Sequence, residues 1–335
     1  MTSSSNRPPG SETPQAKVHE SEGLRSEVVV REGRVYHLGL RPDEIARRIV
    51  LVGDPARAHK VAAHFDRIDH RVAHREYVTL TGRHRGLDIS VIGTGMGTDN
   101  VEIALIELHA LATLDLATCE PLDPAARRTP LDIIRVGTSG GVQGDVPPGT
   151  LCIAEYALGL DSTGSYYEFA AANDVVEAIE VQARRLLAAV VAPNARFRDR
   201  LPVYASRADT SIYRELMRAA QRAGESLASG ITVAAPGFYG PSSRRIAGVE
   251  NTVPDIKGTL AEIDVDGLRV LNMEMESSLL FHLAGALGHR AGTLCPAISG
   301  PNAAGTLVDY DARIEVAIGI ALEAMGALAH AESTD

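Results

Sequence analysis

The chain is predicted to fold as an α/β protein, a three-layer α/β/α single domain around a central mixed sheet. Three observations predict this. Short β-branched runs such as Ile49–Val52 and Ile133–Val136 end at a glycine and are too brief for helices. Stretches with apolar residues at helical spacing, such as Ala58, Val61, Ala62 and Phe65, follow them. This alternation is the pattern of a sheet covered by helices on both faces, and 335 residues suffice for a sizeable core.

Composition narrows the function classes. Lys and Arg total 33 against 43 Asp and Glu, a net charge of -10, which argues against broad attraction to nucleic acid or acidic lipid. An anionic ligand must therefore be caught by a local cluster. Lys17, Lys60 and Lys257 are the only lysines, so Schiff-base chemistry has few candidates. Cys119, Cys152 and Cys295 lie far apart with no CxxC spacing, which suggests a reducing, cytoplasmic setting and no zinc site. Residues 1–26, rich in Ser, Pro, Glu and Arg without a hydrophobic signal region, read as a disordered tail. No run is expected to approach a membrane span, because Glu323 interrupts the most apolar stretch, Val316–Ala329.

Order is expected from about Val28. Ile49–Val52 is a strand pattern, Gly53 ends it, Asp54 is a good N-cap and Pro55 suits the first helical position. A helix start directly after a strand, with Arg57 in its first turn, is a ready-made anion site or simply a well-capped helix. Tyr77–Thr81 and Ile89–Ile92 read as strands, and Gly93, Gly95 and Gly97 form a glycine-rich loop. Asp99 and Glu102 then have capping-box spacing before a helix lined by Val101, Leu105 and Leu108. The loop is GxGxG, not GxGxxG, and Asp115 follows a helix where a dinucleotide site wants a strand, so an oxidoreductase reading is weak.

Leu131–Gly141, LDIIRVGTSGG, carries the most chemistry: a buried strand, Arg135 near its end, then a turn with Thr138, Ser139 and three glycines. Backbone N–H groups, hydroxyls and a guanidinium fork at a strand's carboxyl end suit an anion such as phosphate. A tight turn with a solvated arginine fits the local pattern equally well. Thr150–Tyr156 reads as a strand, Asp174–Ala189 and Ile212–Ala223 as helices, and Gly230–Arg245 as a strand leading into a loop with Phe238, Tyr239, Arg244 and Arg245. That loop could stack and hydrogen-bond a planar ring, or be solvated. Val270–Leu287 is expected to be helical with Met275, Leu279, Leu283 and Leu287 on its buried face, leaving Glu274 and Glu276 as solvated acids of its first turn. A strand at Gly292–Ile298 and a helix over about Tyr310–Ala331 close the chain.

Seven motifs in one order, VYHLGL (35–40), VGDPARAHKVA (52–62), HREY (74–77), GTGMGTDNVEIALIEL (93–108), IIRVGTSGG (133–141), GFYGPSSR (237–244) and NMEMESS (272–278), resemble the nucleoside phosphorylase superfamily of the α/β/α type. Within it they resemble the uridine phosphorylases most. The resemblance runs from about Val28 onward and implies one catalytic domain over residues 27–332, in which phosphate attacks the anomeric carbon of a nucleoside. It implies phosphate ligands at Gly53, Arg57, Arg135 and Thr138, with Arg75 reaching the phosphate of a neighbouring subunit. His37, which alone reads as a surface or structural histidine, would cross the same interface to the ribose 5′-hydroxyl. Met275 and Glu276 would hold the ribose, Phe238 would pack on the base and Arg244 would donate to a base carbonyl. The resemblance further implies a homo-oligomer, a dimer at least and a hexamer built from dimers, using inorganic phosphate as co-substrate with no metal or organic cofactor.

The departures concern the base. Ser242 stands where uridine phosphorylases carry a glutamine, the adjoining Pro-Gly order is reversed as Gly240-Pro241, and Gly300 stands where purine-cleaving relatives carry an aspartate. Uridine or a related pyrimidine nucleoside is the expected substrate. A nucleosidase of the same fold is the first alternative, although it has no need of an arginine cluster. The second is a nucleoside-binding protein without turnover.

Overall fold

A computed structural model describes residues 25–169, 173–301 and 309–332. Apart from Arg25 and Ser26, the tail expected over residues 1–26 lies outside them. The hairpin β1 (Val30–Arg31) and β2 (Arg34–Val35) precedes β3 (Arg48–Val52) and α1 (Pro55–Ala62). A meander, β4 (Arg67–His74), β5 (Tyr77–His84) and β6 (Leu87–Gly93), leads to α2 (Thr98–Thr113). The short pair β7 (Leu114–Asp115) and β8 (Glu120–Pro121) comes before β9 (Asp132–Val136), β10 (Ser139–Gly141) and β11 (Leu151–Gly159). The rest is α3 (Asp174–Val190), β12 (Tyr204–Arg207), α4 (Thr210–Arg222), β13 (Leu227–Ala234), α5 (Ile256–Ala261), β14 (Asp264–Val265), β15 (Leu268–Glu274), α6 (Ser277–Ala286), β16 (Arg290–Ser299) and α7 (Tyr310–Glu332).

One large mixed sheet runs in the order β12-β11-β13-β15-β10-β16-β9-β3-β6-β5-β4, with β14 on the flank of β15. Strands β16, β9, β3 and β6 are mutually parallel, whereas β4, β5 and β6 pair antiparallel. β11 also pairs antiparallel with β16, so the strands from β11 round to β16 close on themselves. Alternation along β3 and β9 divides the core between the two sheet faces. Ile49, Leu51 and Ile133 pack with residues of α2 and α6, while Val50, Val52, Ile134 and Val136 pack with α1, α4 and α7.

Several expectations need correction. The segment from Leu268 to Glu274 is a strand, and the helix begins only at Ser277. Spacings of four residues among Met275, Leu279, Leu283 and Leu287 could not reveal that the first of these precedes the helix. The expected capping box at α2 is also absent. Gly97, with φ of 98°, is the N-cap and offers no side chain, while Glu102 accepts a hydrogen bond from the Tyr167 hydroxyl. Contrary to the expectation from Val316–Ala329, α7 is long and apolar enough to cross a membrane by length and composition. Here it is a core helix: Ile314, Ile318 and Met325 are buried, and Glu323 Oε1 accepts from Arg222 Nε of α4 at 2.6 Å.

Candidate active site

Three sequence-distant loops meet at the carboxyl ends of β3, β6 and β9, and with the β15–α6 junction they line a cavity of about 640 Å³. The first loop follows β3. Asp54 accepts from the N–H of Ala56 at 2.8 Å and Pro55 starts α1, as the capping pattern predicts. This directs Arg57, itself buried, across the sheet end, where it donates to Val136 O at 3.1 Å and to the Tyr310 hydroxyl of α7. Gly53 packs against the Gly95 carbonyl of the second glycine loop, 3.4 Å from where a Cβ would stand.

Arg135 lies at the bottom of the cavity. It is buried on the face opposite Ile134 and Val136 and is not the solvated arginine that the local pattern also allowed. Its Nη1 lies 3.0 Å from Glu274 Oε2 and its Nη2 donates to Glu276 Oε2. Nη1 also meets Cys295 Sγ at 3.3 Å, and burial pushes that thiol up to about 12, so it stays protonated. Burial disfavours the guanidinium charge, but Glu276 and Glu274 outweigh it and hold Arg135 protonated. A Cβ at Gly137 would fall 2.0 Å from Arg135 Nη1, so the glycine after the strand is what lets the arginine turn back.

Glu274 and Glu276 are both buried, which corrects their reading as solvated first-turn acids. Glu274 ends β15 and accepts from the N–H groups of Glu276 and Ser277, both at 3.0 Å, thereby serving the start of α6. Burial pushes its carboxyl up, and Arg135 pulls it back. Glu276 stands between strand and helix with Oε1 accepting the N–H of Gly97 at 2.8 Å, so one side chain joins the second glycine loop to Arg135.

The structure brings Gly53, Arg57, Arg135, Thr138, Phe238, Ser242, Arg244, Met275 and Glu276 to this one cavity. Two of them are hydrogen-bonded within their own loop. Ser242 Oγ donates to Gly237 O at 3.0 Å, within its own loop. Arg244 donates to Phe238 O at 2.6 Å, with its guanidinium 3.7 Å from the Phe238 ring centroid. His37 and Arg75 do not line the cavity. His37 Nδ1 sits 2.8 Å from Glu107 Oε1, and Arg75 lies over the Tyr36 ring at 5.4 Å, so the two share one surface cluster around Tyr36. Sequence reasoning did not single out Tyr310, Cys295 or Lys257 as part of the site. Nothing local marks the first two, and the rarity of lysine, which bore only on Schiff-base chemistry, did not mark the third.

A sequence model of the phosphorylase superfamily matches residues 47–329, spanning both glycine loops, Arg135 and Glu276. The chain belongs to the phosphorylase superfamily. Among its relatives, uridine phosphorylase of Thermococcus kodakarensis is 30% identical over 264 residues, which is 79% of this chain and 76% of that one. The uridine phosphorylase of Escherichia coli is 26% identical over 269 residues, covering 79% and 85%. The crystal structure of Trypanosoma brucei nucleoside phosphorylase, described as showing uridine phosphorylase activity, superposes with a TM-score of 0.77 at 30% identity, covering 89% of this chain and 99% of that one. Purine nucleoside phosphorylase of Toxoplasma gondii shares the superfamily fold, with a TM-score of 0.61 at 21% identity over 90% of this chain and 98% of that one.

Proposed function

We propose that this chain cleaves the N-glycosidic bond of uridine or a related pyrimidine nucleoside with inorganic phosphate, releasing free base and α-ribose 1-phosphate. The observation that carries the reading is a shared contact. Arg135, beside Arg57 and Thr138 at the phosphate end of the cavity, also binds Glu276, the carboxylate that would receive the ribose hydroxyls. One guanidinium therefore fixes the nucleophile and the sugar relative to each other, which is the geometric requirement for attack on an anomeric carbon. Positive charge builds on the sugar in the transition state, so a dianionic phosphate beneath the ring both attacks and stabilises. At the far end, Phe238 offers a ring face to the base and Arg244 a cation to its departing charge. The scheme calls on no metal or organic cofactor.

The uridine phosphorylases among the relatives support the pyrimidine choice, and Gly300, in place of an acid, gives no group to protonate a purine. The arginine pair favours phosphate over water as nucleophile. Purified protein is expected to consume uridine only when phosphate is added, leaving inosine untouched, as followed by ultraviolet absorbance. Equal cleavage without phosphate would identify a nucleosidase, and binding without cleavage would identify a nucleoside-binding protein.

We further propose that residues 27–332 form one catalytic domain, that the protein acts in the cytoplasm, and that it assembles at least as a dimer, and as a hexamer built from three dimers. His37 and Arg75 support the oligomer, because both sit outside the chain's own cavity while their residue types suit a ribose hydroxyl and a phosphate. Arg75→Ala and Glu276→Ala proteins should each be nearly inactive, yet regain activity when denatured together and refolded as a mixture. Complementation arises because a mixed dimer can hold one site with both residues intact. No recovery in a mixture shown to contain mixed dimers would remove the shared site.

A further inference from the structure

Lys257 is one of three lysines in the chain and, among the described residues, the only one lining the cavity. It stands in the first turn of α5, whose start is tied to the Phe238–Arg244 loop by a hydrogen bond from Lys257 N to Ser243 Oγ at 3.0 Å. Its ammonium lies over the glycine loop that follows β9. A Cβ at Gly140 would stand 3.5 Å from Lys257 Nζ and 3.3 Å from Ser299 Oγ, which places the ammonium against this glycine and beside the end of β16. Half-buried there, Nζ has no hydrogen bond or ion pair among the described residues. Burial and the nearby Arg244 push the ammonium below the ordinary lysine range.

The two cations at this end of the cavity are differently engaged. Arg244 donates to its own loop at Phe238 O and sits over the Phe238 ring, and Ser242 Oγ donates to Gly237 O. Lys257 brings an ammonium with no side-chain partner among the described residues into the cavity that Gly140, Ser242 and Arg244 also line. Burial and Arg244 outweigh Asp255, the acid that favours its charge, so the half-buried ammonium is poised for an anion that forms there. Arg57 and Arg135 line the cavity where phosphate would bind, and the backbone of Lys257 is tied to the aromatic loop through Ser243.

We propose that Lys257 is a base-contacting residue that donates a hydrogen bond to a carbonyl oxygen of the leaving pyrimidine-2,4-dione. When the glycosidic bond breaks, its electron pair passes to the base, and Lys257 stabilises the charge that accumulates on that oxygen. The lysine thereby does from α5 what Ser242 is too short and too engaged to do from its loop. A base whose contacting group is an amine, as in cytidine, would face ammonium with a donor and be rejected.

This inference rests on the proposed reaction, and its test separates the two. Lys257→Met, Lys257→Gln and Lys257→Arg are compared with the unaltered protein on uridine and on 5-fluorouridine, whose base is the more acidic leaving group. Loss of one preorganised donor should lower kcat/KM for uridine about 100-fold in the Met and Gln variants. The loss on 5-fluorouridine should be several-fold smaller, the Arg variant should recover most of the activity, and KM for phosphate should hardly move. Two neutral variants are read so that misfolding of one, seen by circular dichroism, leaves the other to decide. If the unaltered protein cleaves uridine but the variants lose activity equally on both substrates, lose none, or instead raise KM for phosphate, the assignment of Lys257 to the base is overturned. If the unaltered protein shows no phosphate-dependent cleavage, the reaction itself and this inference fall together.

Discussion

Replacing Glu276 with alanine should lower kcat/KM for uridine by about 1,000-fold or more, because the carboxylate has no substitute in the cavity. Glu274 is the nearest acid, but both of its oxygens are taken by the N–H groups that open α6 and by Arg135. Glu276 differs in its partners: Gly97 N–H and Arg135 hold it from two sides, and none of its hydrogen bonds is spent on the N–H groups that open α6. Steady-state kinetics with varied uridine and varied phosphate would check this. Retention of turnover near the unaltered level would show that the sugar is held elsewhere.

Arg135→Met should abolish measurable phosphorolysis and also destabilise the fold, by about 3–5 kcal/mol at pH 8, since it strands two buried carboxylates without their cation. The loss should shrink on acidification. Burial already pushes the Glu274 carboxyl above its ordinary value of 4.5, and Arg135 is what pulls it back. Without that pull the folded state binds protons more tightly than the unfolded chain. Stability of the variant therefore falls as pH rises from the unfolded value through the raised folded one. Urea midpoints at pH 5.5 and pH 8 would read this directly, and an identical deficit at both would mean the carboxylates are not left charged and unpaired.

Much of the architecture was legible because β3 and β9 carry β-branched runs closed by glycine, and because Asp54-Pro55 marks a helix start unambiguously. Periodicity failed at the β15–α6 junction. There the run continues unbroken from strand to helix, and the change of period falls at Glu276, the residue proposed to hold the ribose. β4 escaped notice because its exposed, arginine- and histidine-rich face hides the alternation of an edge strand. The site residues emerged from motif resemblance rather than from physics alone: taken singly, Arg135 and Glu276 each had a bland reading that only their mutual contact removes. Lys257 lacked any motif, and its significance rests on two loops coming together around it.

The contact between Glu276 and Arg135 joins parts of the chain 141 residues apart, and Gly97 adds a third part from further upstream. No fragment ending before α6 can hold this arrangement, so during synthesis the nascent chain passes most of its length without a place for substrate. Phosphate and nucleoside consequently stabilise only the finished domain, never a partly built one. Substrate supply then protects mature molecules from turnover but offers no help to those still folding, which must rely on the sheet alone.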